Sequence, residues 1–157
     1  MKVVVLGVVL LVAVAGAAAG AWALLRDDGD DRDGRDPYAA ALADLCVEAR
    51  GEIEALGRPS DTPIDVVYAG TVRIGREMLA QARYLAPPEE NKALPAVFVH
   101  QYGLYLDGLE YAYHYLENQG NQVAFVQIVN GALANLANAE RAATELGAPE
   151  CAVRPFE

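Results

Sequence analysis

Residues 36–57 read DPYAAALADLCVEARGEIEALG, and their punctuation decides the fold. Asp36 offers the short acceptor side chain that caps a helix start, and Pro37 fits the first helical position, where no backbone N–H is missed. Tyr38, Leu42, Leu45, Ala49, Ile53 and Leu56 then recur at steps of four or three, lining one helical face. Gly57 stands where a left-handed residue would end that helix.

The pattern repeats along the chain. Thr62-Pro63-Ile64-Asp65 reads as cap, proline and an acid at the third helical position, followed by Ile64, Val67, Thr71, Ile74, Met78, Ala82 and Leu85. The β-branched run Val66–Ile74 would also suit a strand, but the caps and the long period predict a helix. A third helical region opens at Ala86-Pro87-Pro88-Glu89-Glu90, with Pro95 expected to kink or restart it. Its core stripe is Phe98, Tyr102, Tyr105, Leu109, Ala112 and Leu116. Gln119-Gly120-Asn121 breaks the chain. A fourth helix carries Phe125, Val129, Ala132, Leu136, Ala139, Ala143 and Leu146, ending at Gly147 with Pro149 behind it. Four such helices with short connections predict an all-α, up-down-up-down four-helix bundle over residues 37–157.

Ahead of it, Val3 to Leu25 runs 23 residues without a charge. At about 1.5 Å per residue a helix of that length crosses a ~30 Å hydrocarbon core. Lys2 precedes it, and RDDGDDRDGRD (26–36) follows with a net charge of −3 (three Arg, six Asp). The positive-inside bias then places the N-terminus in the cytoplasm and the rest outside. The division expected is a transmembrane signal-anchor (1–25), an acidic spacer (26–36) and an extracytoplasmic bundle (37–157). A cleaved signal peptide is the alternative, since Ala-x-Ala sites occur at Ala17–Ala19, Ala19–Ala21 and Ala21–Ala23; the bundle would then be secreted. Asp31-Arg32-Asp33-Gly34 resembles the middle of a calcium loop, but an EF-hand frame puts Gly29 and Ala40 where carboxylates are required. A solvated tether is the better reading.

The chain has two cysteines. In an exported domain they read as one disulfide. Antiparallel helices bring Cys46, in the third turn of the first, and Cys151, just past the fourth, to one end of the bundle.

Composition excludes more than it proposes. A net charge of −10 leaves no basic stripe to neutralise phosphates, so nucleic acid is not an expected partner. No nucleophile elbow, P-loop or dinucleotide glycine pattern occurs. His100 and His114 share a helical face with Asp107, but fourteen residues of helix span ~21 Å, too far for one metal ion. Neither a cofactor nor catalysis is expected. Gly70, Gly75, Gly103, Gly108 and Gly131 fall inside helices, which suggests close helix approach.

The unusual region is 93–139, which has no Lys or Arg and whose acids are Asp107, Glu110 and Glu117 alone. Its first half, PAVFVHQYGLYLDGLEYAYHYL (95–116), is apolar or aromatic nearly all round. One bundle seam cannot hide it all. Val97, Leu104, Tyr111 and Tyr115 form the expected outer stripe, and Tyr-rich, Lys-poor surfaces are characteristic of interfaces.

Leu45-Cys46, Ala86-Pro87-Pro88 and the closing Leu146-Gly147…Cys151, together with the apolar start, resemble small exported, membrane-anchored helical-bundle proteins of high-GC Gram-positive bacteria. That resemblance implies no activity and no site residues. The function expected is a tethered interaction module without catalysis, meeting a protein partner or a second copy of itself through helices three and four and the bilayer through residues 3–25. A small-ligand binder with a Tyr- and Asn-lined pocket (Asn130, Asn135, Asn138) is the alternative.

Overall fold

The computed structural model describes residues 35–58 and 60–154. The expected membrane span, Val3–Leu25, and all but the end of the acidic spacer lie outside these residues. Among the described residues there is no strand, and no helix is long and apolar enough to cross a membrane.

Among the described residues four α-helices make the fold. The first, α1 (Pro37–Ala55), starts as its sequence dictates: Asp36 Oδ1 accepts the Tyr38 N–H at 2.8 Å, and Gly57 ends the turn with φ 95°. Helix α2 (Ile64–Ala82) takes in the β-branched run. Its cap differs from expectation, because Pro63 holds that position and the Thr62 hydroxyl donates instead to the Leu56 carbonyl at 3.3 Å, fastening the loop.

Helix α3 (Ala93–Gln119) begins later than the proline-rich sequence suggested. Pro87 and Pro88 bias the preceding residues towards extended backbone, and residues 86–92 are not helical. Pro95 is therefore only the third helical residue, where a missing N–H costs nothing, so it neither kinks nor restarts the helix. Gly120, at φ 62°, closes α3, and the Asn121 side chain accepts the Ala124 N–H at 3.2 Å to start α4 (Gln122–Glu145). At the far end the Gly147 N–H reaches Thr144 O and the Ala148 N–H reaches Ala143 O, a Schellman turn with Gly147 at φ 83°. A 3₁₀ turn, Pro149–Ala152, then leads back to α1.

Successive helices run against one another. Leu56 sits on Gly70 while the Leu45–Glu52 stretch of α1 faces Ile74–Gln81 of α2. Tyr68 meets Tyr113, and Gly75 meets Leu106, across α2 and α3. Gly108 meets Ala132 across α3 and α4. Leu42, Phe98 and Leu106 are fully buried at the centre, with Ala139, Ala142 and Ala143 supplying small surfaces on α4.

Because α1 ends opposite Gly70, the first turns of α2 extend past it. There the bundle is three helices thick, held by an aromatic cluster in which Tyr68 lies 6.4 Å from Tyr113 and 5.8 Å from Phe125. Ile64, expected in the core, is 42% exposed at this end.

The disulfide Cys46–Cys151 closes the other end, with Cα atoms 5.1 Å apart. Arg50 donates to the Glu150 carbonyl at 3.3 Å and Arg35 to the Glu150 carboxylate at 2.7 Å. That guanidinium holds the Glu150 carboxyl below its ordinary range. Arg154 grips Glu140 of α4 through two hydrogen bonds of 3.0 and 3.2 Å, pinning the segment after the bridge.

Candidate interaction surface

The composition of α3 has a physical consequence once the neighbours are in place. Its buried side carries Phe98, Leu106, Leu109 and Ala112. Tyr102 and Tyr105 turn inward with them, in an edge-on contact with ring centroids 5.6 Å apart. Burial pushes the Tyr102 hydroxyl up to about 12, with the Glu140 carboxylate adding to it, and raises Tyr105 as well. These phenols stay neutral and serve packing.

The acids of α3 are also accounted for. Arg76 of α2 reaches across to Asp107 at 3.1 Å and to Glu110 at 2.5 Å. Glu117 accepts the Tyr113 hydroxyl at 2.6 Å and lies 3.5 Å from His114 Nδ1. That bond to Glu117 is the main reason the Tyr113 phenol is pushed up to about 12. Charge on α3 is thus gathered towards α2 and towards the hairpin tip.

The outer side carries an apolar row beside the exposed His100 and Asp107. Val97 is 43% exposed, Leu104 38% and Tyr111 61%, at intervals of seven residues. Tyr115 is half-buried, its ring 6.3 Å from that of Tyr111. The sequence-derived stripe therefore lies together on one face of one helix. His100 and His114 are both exposed, and among the described residues no three His, Cys, Asp or Glu side chains gather as a metal site.

Two sets of residues escaped sequence reasoning. Val123 and Val126 of α4 are 70% and 52% exposed, and Tyr84, just past α2, is 91% exposed; the two valines lie off the stripe that runs from Phe125 through Val129 and Ala132. The second set lines a recess of about 460 Å³ between the end of α2 and the start of α3. It is assembled from the connection itself, so no periodicity announces it. The Asn-lined pocket fares differently: Asn130 and Asn138 point to solvent and Asn135 is half-buried.

The glycines divide. A Cβ on Gly108 would sit 2.7 Å from Ala132 Cβ, and one on Gly75 2.7 Å from the buried Leu106, so both allow close approach. Gly70 does the same against Leu56. Gly103 would make only an ordinary 3.9 Å contact and Gly131 none within 4 Å; for these two the expectation of close packing fails.

No family model, curated protein or solved structure matches the chain.

Proposed function

We propose that this chain is a non-catalytic interaction module, tethered to the outer face of a membrane by residues 3–25, that docks a protein partner through the outer face of α3 and the adjoining α4. The observation that carries this reading is the exposed stripe Val97, Leu104 and Tyr111, continued by Tyr115, on a helix without Lys or Arg. Exposed apolar groups scattered singly need no explanation, but a heptad row of them does. The aromatic member supplies the rigid contact area typical of interface anchors.

The disulfide supports an extracytoplasmic setting, since such bonds persist in oxidising compartments. The acidic spacer and the basic residue before the apolar segment support the orientation.

The test is site-specific photocrosslinking in intact membranes. A photoreactive side chain at Tyr111 should give one discrete protein adduct, a second copy of this chain included. The same group at Arg73, an exposed position on α2 paired with Glu77, should give none. Equal labelling at both positions, or none at Tyr111, would overturn the reading.

A further inference from the structure

The recess between α2 and α3 has a chemistry of its own, separate from the α3 stripe. It is a shallow recess of about 460 Å³, open to solvent. Leu85, Pro95 and Val99 provide apolar lining, and Arg83, Lys92 and His100 provide groups that can bind an anion. In a chain of net charge −10, Arg83 and Lys92 are the cations between Arg76 and Arg141, and both line this recess.

Their availability follows from their pairing. Among the described residues Arg83 has no ion-pair partner. Lys92 meets Glu89 at 2.9 Å, but that pair is 61% and 88% exposed, so water screens it and an anion competes at little cost. Lys92 precedes α3, whose start has no side-chain cap; the positive end of that helix reinforces the same sign. The recess lies at the end of the bundle where Arg35 enters, and Tyr84 stands 91% exposed beside Arg83.

We propose that this recess binds a single-chain amphiphilic anion, with Arg83 and Lys92 on its carboxylate or phosphate head and Leu85, Pro95 and Val99 along the first part of its tail. A compact inorganic anion would leave the apolar lining unused. A neutral alcohol would leave Arg83 without an ion-pair partner. A molecule with both parts uses both kinds of lining residue.

The experiment uses the full chain in phosphatidylcholine vesicles and a decanoate carrying a diazirine in its tail. After irradiation, label should appear in peptides spanning residues 82–100 and be competed by decanoate but not by decanol. The Arg83→Gln, Lys92→Gln double variant, altered only at exposed positions, should lose about tenfold or more of the competed label, the scale of a charge-assisted contact. Val99→Glu should lose it too by placing a carboxylate in the recess, with circular dichroism checking the fold. Leu104→Arg should label normally, which separates this site from the proposed docking face. Lysophosphatidylglycerol bearing the same diazirine tests whether the single-chain anion is a phosphate-headed lipid; label from either source supports the site. Competition by decanol equal to that by decanoate, label unchanged in the double variant, or no label at 82–100 from either probe would overturn it.

Discussion

Gly108 and Gly131 lie in the interiors of α3 and α4, and replacing each by alanine should move stability in opposite directions. Alanine in a helix interior is favoured over glycine by about 0.8–1 kcal/mol. At Gly131 nothing lies within 4 Å of the new methyl group, so that gain should be realised in full. At Gly108 the new Cβ would stand 2.7 Å from Ala132 Cβ and 3.4 Å from its Cα. Carbon atoms pack best at about 3.5–4.0 Å, so the α3–α4 seam must open by roughly 1 Å along a line that holds the core. Overpacking of that kind costs about 1–3 kcal/mol. Since the propensity gain is common to both variants, their difference isolates this steric cost. For a domain of roughly 120 residues 1 kcal/mol corresponds to about 4 °C, so the two melting temperatures should differ by about 4–12 °C. Thermal unfolding of the full chain followed by circular dichroism in one detergent measures it. Equal rises in both variants would show that α3 and α4 do not approach closely at Gly108.

Two further outcomes follow from the disulfide end. Replacing Cys46 and Cys151 together by serine opens a loop of sequence separation 105, which the chain-entropy treatment values at about 4–5 kcal/mol; the melting temperature under non-reducing conditions should fall by 10 °C or more, roughly, and an unchanged value would contradict a structural role for the bridge. Arg35 holds the Glu150 carboxyl below its ordinary 4.5, so the pair stabilises the fold above that value and the contribution fades as pH falls through the lowered native one. Glu150→Gln should therefore lower stability near neutrality and flatten its acid branch, and parallel stability–pH curves for the two proteins would refute this.

Much of the fold was legible because its signals are local. Asp36-Pro37, Asn121 and Gly147 act within one turn of where they stand, and the apolar spacing of α1 and α4 maps onto buried faces such as Leu42, Ile53, Leu136 and Ala143. The cysteine pairing followed from topology. The departures arise where tertiary context outweighs local preference. Thr62 spends its hydroxyl on Leu56 rather than on a cap, Pro87-Pro88 delays α3, and the early end of α1 leaves Ile64 uncovered. The outer stripe of α3 could be read from composition, because a helix with so few charges has nowhere to hide all its side chains. That Arg76 would draw Asp107 and Glu110 to one side could not, since the pairing joins residues 31 and 34 positions apart. The recess at Arg83 and Lys92 left no sequence signal, because it exists only once a non-helical connection folds between two helix ends.

The central claim is that the exposed stripe of α3 is covered by a protein partner. Sedimentation of the detergent-extracted full chain tests it most directly, comparing wild type with Leu104→Arg. A charge at this 38% exposed position should leave the melting temperature within about 1–2 °C, as a surface change does, yet break the contact by placing an unpaired charge in a desolvated interface. The wild-type chain should sediment as a complex and the variant as the free chain. Identical sedimentation of the two, with the fold of both intact, would contradict the account.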